Sequence, residues 1–110
     1  MGYYMIQASY TTDSIAGMVK RPEDRAATVR AAFEKLGGKM HAFYFCFGDY
    51  DAVVIAEVPD NVTMAAISMA VGATGALKAF KTTVLLTSED GTRSMRKAGE
   101  AAAAYRPPGR

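Results

Sequence analysis

Among its 110 residues the chain has one cysteine, one histidine and no tryptophan. A single cysteine, Cys46, forms no internal disulfide, which suits a reducing compartment. One histidine, His41, and one cysteine fall short of the three or four ligands of a zinc site, so no metal and no cofactor are expected. Gly37, Gly38 and Gly48 have the spacing of neither a phosphate loop nor a dinucleotide fingerprint. Neither a Ser-His-Asp order nor a pair of catalytic carboxylates stands out. Long apolar runs are missing as well. Residues 61–77 carry no charge, but Asn, Thr, Ser and Gly interrupt them, short of the roughly 20 apolar residues of a membrane span. The first ten residues lack the basic start of a secretory signal. The net charge is only +2. Much of the basic excess sits at Arg93, Arg96, Lys97, Arg106 and Arg110, where a solvated tail explains it more economically than a nucleic-acid surface. The expectation is a cytoplasmic protein that engages neither membrane nor nucleic acid.

Half of the residues are hydrophobic, enough for the core of one domain. The densest stretch is Phe43-Tyr44-Phe45-Cys46-Phe47-Gly48-Asp49-Tyr50-Asp51-Ala52-Val53-Val54-Ile55-Ala56. Aromatic and β-branched runs on either side of a Gly-Asp turn predict a β-hairpin. A two-residue loop at Asp49 and Tyr50 pairs Gly48 with Asp51 and Phe47 with Ala52. His41, Phe43, Phe45 and Phe47 then share a face with Ala52, Val54, Ala56 and Val58. Met40, Ala42, Tyr44 and Cys46 share the other with Val53, Ile55 and Glu57. Both faces are largely apolar, so both call for a cover.

Tyr3 to Tyr10 alternates as a first strand, with Tyr4, Ile6, Ala8 and Tyr10 toward the helices. Asp13 or Ser14 caps a short helical turn over Ile15 to Val19. Pro22 is placed to open a longer helix, followed by Glu23 and Asp24 at its positive end. Ala26, Val29, Phe33 and Leu36 form its apolar stripe, and Gly37 is its left-handed stop. The hairpin spans about Lys39 to Val58. Asp60 caps a helix over Asn61 to Thr74 that is apolar nearly all round, a pattern expected to be buried on more than one side. A fourth strand follows from about Ala79 to Thr87, then a helical segment from Thr92 to Tyr105 and a frayed tail. The order βαββαβ predicts an α+β fold, a ferredoxin-like plait with a four-stranded antiparallel sheet. Residues 1–90 make that domain and 91–110 an extension. The helices cover one sheet face. Tyr44, Cys46, Val53, Ile55, Met5 and Leu85 leave an apolar patch on the other, and that pattern predicts a homodimer packed sheet on sheet.

Phe47-Gly48-Asp49-Tyr50-Asp51-Ala52-Val53-Val54-Ile55 resembles the signature of the GYD-domain proteins. Tyr10-Thr11, Leu36-Gly37-Gly38-Lys39, Val58-Pro59-Asp60-Asn61 and Leu85-Leu86-Thr87 agree with it, so the likeness spans about residues 3–90. The resemblance implies a dimeric α/β-barrel of two plaits and assigns no reaction. Gly48-Asp49-Tyr50-Asp51 before an apolar strand is also similar to the turn in the ligand-sensing domains of Lrp/AsnC-type regulators, which bind small molecules at subunit interfaces.

On this reading the protein holds a small organic ligand between sheet and helices or at the dimer seam. Tyr10, His41, Tyr44, Asp49, Tyr50 and Asp51 are the candidate ligand-binding residues. The alternative is a cofactor-independent monooxygenase or isomerase in which His41 acts as acid or base, assisted by Tyr10 or Tyr44. A third reading is an interaction protein that docks through its apolar helix or its tail. Each residue also has a plainer explanation: a half-exposed histidine near the start of a strand, an inert buried thiol at Cys46, turn-forming carboxylates, and tyrosines that pack a core or interface. Lys20, Arg21 and Arg25 offer charge to an anion near the helix start, though a solvated face accounts for them more simply.

Overall fold

The computed structural model describes all 110 residues. The chain runs β1 (Gly2–Tyr10), α1 (Thr12–Lys20), α2 (Arg25–Lys35), β2 (Lys39–Phe45), β3 (Ala52–Val58), α3 (Asn61–Gly72), β4 (Leu77–Leu85) and α4 (Ser88–Ala104). The four strands form one antiparallel sheet in the order β2-β3-β1-β4. Helices α2 and α3 pack on one face. This is the ferredoxin-like plait, with α1 added inside the first crossover and α4 appended.

Side-chain alternation along β1 and β3 builds the core. Tyr4 lies opposite Ala56, Ile6 opposite Val54 and Ala8 opposite Ala52, all on the helix side. Tyr4, Val54, Ala56 and Val58 join Met40, Phe33 of α2, and Met64 and Ile67 of α3 in one buried cluster. The Tyr4 hydroxyl donates to the Asn61 side chain and so ties the first strand to the start of α3.

Two glycines fix the passage from α2 to β2. Gly37 has φ +81°, the left-handed conformation that ends a helix without strain only for glycine. Gly38 lies so close to β3 that an added Cβ would stand 2.9 Å from a Val58 methyl and 3.0 Å from the Glu57 carbonyl oxygen.

The helix starts follow from their caps. Thr11 accepts from the Ser14 amide, Asp24 from Ala27, Asp60 from Thr63 and Thr87 from Asp90. A carboxylate or hydroxyl that takes a first-turn amide satisfies a donor with no partner inside the helix. At Asp60 both the hydroxyl and the amide of Thr63 donate, at 2.7 and 2.8 Å. The Thr63 hydroxyl, and then its amide, hold this carboxyl below the usual carboxylate range.

Several boundaries differ from the sequence expectation. Helix α2 starts at Arg25, not Pro22, because the Asp24 carboxylate captures the Ala27 amide and defines the first turn there. Thr11, rather than Asp13 or Ser14, caps α1. Strand β4 begins and ends two residues earlier than expected, and α4 begins at Ser88. Helix α3 buries only Met64 and Ile67, so within one chain it is covered on one side.

The hairpin differs in register. Phe45, not Phe47, lies opposite Ala52. A two-residue displacement leaves Phe43 and Phe45 on the expected face and lengthens the connection to residues 46–51. At the other end a bulge between Met40 and Ala42 inserts His41 as an extra residue and exchanges two side chains. Met40 turns into the core, and His41 turns to the open face. Burying a methionine stabilises by about 1.5–3 kcal/mol, whereas a buried imidazole would need partners the core does not offer.

Candidate functional site

The space between sheet and helices is not filled along its whole length. At the Tyr10 end it opens into a cavity of about 330 Å³. Its floor is set by one row across the sheet, in which Phe80 of β4 lies opposite Ala8, Ala8 opposite Ala52, and Ala52 opposite Phe45. Two alanines on adjacent central strands make a trough between aromatic residues. Thr28, Val29, Ala32 and Phe33 of α2 form part of the roof, and Ile67, Ser68 and Val71 of α3 the rest. Sixteen of the twenty lining residues are hydrophobic, and Arg25 alone carries a charge. Apolar walls with few polar groups are what a small-molecule site needs.

Tyr10 and Arg25 also line two clefts outside the cavity. The first is walled by Ile15, Met18 and Val19 of α1, by Phe45 and Cys46 of the hairpin, and by Asp51. The second runs past Ser14, Met18, Arg21 and Glu23. Tyr10 and Arg25 therefore stand where the three spaces meet. Arg25 bonds Glu23 at 2.9 Å, with side-chain exposures of 26% and 54%.

The turn motif is bolted to the end of β1. The Asp51 amide donates to the Ala8 carbonyl at 2.8 Å. The Tyr10 amide donates to the Asp51 carboxylate at 2.9 Å, and the Ser9 hydroxyl to the Asp49 carbonyl at 3.0 Å. Within the loop, Cys46 donates its amide to the Asp51 carbonyl and its thiol to the Tyr50 carbonyl. Asp51 thus continues the β1–β3 ladder one rung further with its own side chain. Gly48, at φ +130°, permits the reversal.

Among the residues singled out from sequence, the structure brings together Tyr10, which lines the cavity, and Asp51, which lines the cleft under α1 next to it. Asp49 and Tyr50 lie in the same loop as Asp51, the Asp49 carbonyl accepting from the Ser9 hydroxyl of β1 and the Tyr50 carbonyl from the Cys46 thiol. His41 and Tyr44 are elsewhere. His41 sits on the open sheet face, 3.0 Å from the Glu57 carboxylate, with its ring centroid 5.6 Å from that of Tyr3. Tyr44 is 68% exposed on that face. His41 and Tyr44 are thus separated by the sheet from the Tyr10 ring and do not form a set with it. No cluster of three or more His, Cys, Asp or Glu side chains gathers for a metal. No helix is long and apolar enough to cross a membrane.

Two residues of the cavity floor carry no site signal in the sequence. Ala8 and Ala52 pass for ordinary core alanines until the register sets them side by side. Arg25, which the sequence offers as an anion contact near the helix start although a solvated face accounts for it more simply, lines the cavity. Its signal was its position one turn before Val29 and two before Phe33, on the stripe that faces the sheet.

No curated protein matches the chain. A family model described as GYD domain matches residues 4–103, from the first strand through nearly all of α4, and the chain belongs to the GYD-domain family.

Proposed function

We propose that the protein is a small-molecule binder whose ligand occupies the cavity between the sheet and helices α2 and α3. The observation that carries this reading is the cavity itself. It holds about 330 Å³ inside a domain of only 110 residues, whereas a packed core of that size leaves few voids larger than a water molecule. The Ala8–Ala52 pair keeps it open, and Asp51 holds the backbone of Tyr10, one of its lining residues.

The neutral fluorescent dye N-phenyl-1-naphthylamine tests it. The wild-type protein is expected to enhance the dye's emission saturably, and Ala8→Leu, which fills the trough, to weaken binding about tenfold or more. Equal binding by the variant sinks the cavity as the site.

The open sheet face favours a homodimer in a cytoplasmic setting, which also suits the unpaired Cys46. Met5, Val53, Ile55 and Leu85 lie there half-exposed beside Tyr44. Sedimentation equilibrium checks the assembly. Ile55→Lys, at the middle of this face between Met5 and Ala42, is expected to convert dimer to monomer. A wild-type protein that sediments as a monomer removes the dimer.

A further inference from the structure

We propose that the cavity selects an apolar monocarboxylate, with the carboxylate on Arg25 and the apolar body over the Ala8–Ala52 trough. The inference rests on the cavity being a ligand site and names the chemistry of that ligand.

Three observations converge. Arg25 is the one charged residue among the twenty that line the cavity, so the electrostatic preference there has a single sign. Its side chain is about three-quarters shielded from solvent, at 26% exposure, where a charge interaction is screened less than at the surface. Its one hydrogen bond is to Glu23, through Nη1. A guanidinium has five N–H donors in a fixed fork, and the rest of this fork is free to take a carboxylate in the two-pronged geometry such pairs favour.

Glu23 is a weak competitor. It lies two residues away on the irregular segment before α2, and its side chain is 54% exposed. A pair whose carboxylate stands more than half in water contributes little. Glu23 keeps the cation partly neutralised while the site is empty and can swing into water when a ligand arrives.

Size narrows the class. One water's share of liquid is about 30 Å³, so 330 Å³ has room for on the order of ten non-hydrogen atoms. The walls supply Phe33, Phe43 and Phe80 together with aliphatic side chains, a lining suited to alkyl or aryl bodies. Medium-chain alkanoic and arylalkanoic acids fit on both counts. Dicarboxylates and sugars, with polar groups at both ends, do not.

The test compares octanoate with octanamide, equal in size and different in charge, by displacement of the neutral dye. Wild-type protein is expected to prefer octanoate about tenfold, the scale of a charge-assisted hydrogen bond. Arg25→Met is expected to bring the ratio of the two affinities close to one. Glu23→Gln, which removes the competing carboxylate and leaves the cavity wall intact, is expected to strengthen octanoate binding two- to fivefold.

Equal wild-type affinities for the two compounds overturn the carboxylate assignment and leave the cavity reading standing, because the dye still reports the site. A preference for octanoate that survives Arg25→Met also overturns it. Failure to bind either compound or the dye overturns both readings at once. If Arg25→Met does not fold, the Glu23→Gln result decides, and an unchanged or weakened octanoate affinity counts against the assignment.

Discussion

The layer between sheet and helices has two ends made from the same strands, and they differ mainly in side-chain size. At one end Tyr4, Met40 and Val58 close over Ala56, and Ala56 and Val58 are fully buried. Here an alanine on β3 faces a tyrosine on β1 and a methionine on β2. Large meets small, and the space fills. At the other end Ala8 meets Ala52. Small meets small, and the nearest bulky neighbours in that row, Phe80 and Phe45, stand to the sides, at 38% and 59% exposure. The difference teaches that the cavity is a matter of register: the same alanine content, paired differently, would have closed it.

Substitutions that treat the two ends alike should give unlike results. The largest effect is expected from truncation at the closed end. Met40→Ala should cost about 2–5 kcal/mol of unfolding free energy in urea, because the surrounding core cannot collapse onto the gap. Phe80→Ala removes a larger group at the open end and should cost only about 1–2 kcal/mol, since that ring already borders empty space and solvent. Similar losses for the two would erase the contrast. Next in size comes enlargement. Ala56→Leu should destabilise by about 1–3 kcal/mol through overpacking. Ala8→Leu should be neutral or raise the melting temperature, as its added carbons enter vacant volume. A matching loss at both positions would mean the open end is already full.

The smallest effect concerns the roof rather than the floor. The Asp60 carboxyl has its pKa lowered in the folded state by the Thr63 hydroxyl and amide. Its contribution is therefore present above the unfolded value of 3.8 and is lost as the pH falls below that, through the folded value. Asp60→Asn should melt below wild type at neutral pH, and the gap should narrow on acidification below about pH 4. A gap that stays constant with pH would remove the carboxylate's charge from the account of α3.

Local patterning carried much of the fold. The alternation in β1, the Gly37 stop, the Asp60 cap and the hairpin strands are all short-range features, and element order then restricts the topology to the plait. In the hairpin, where register departs from the local pattern, a distant partner decides. The two-residue turn at Asp49 and Tyr50 was plausible on its own residues, but Asp51 is held by Ala8 and Tyr10 of another strand, and that widens the loop. The bulge at His41 answers to Glu57 and Tyr3, neither of them near it in sequence. Of the candidate site, Tyr10 and Asp51 were legible because a tyrosine and a carboxylate announce themselves. An alanine does not, and the trough exists only once β1 and β3 are aligned.

The bond from the Tyr10 amide to the Asp51 carboxylate gives the protein a built-in reporter. A backbone amide that donates to a carboxylate makes a charge-assisted hydrogen bond, and its proton is protected from exchange with solvent while that bond holds. Tyr10 stands at once at the end of β1, in a hydrogen bond to the hairpin loop and in the wall of the cavity. The exchange rate of that one amide is therefore expected to report whether the loop is attached, and to slow when the space beside it is occupied, with no residue changed.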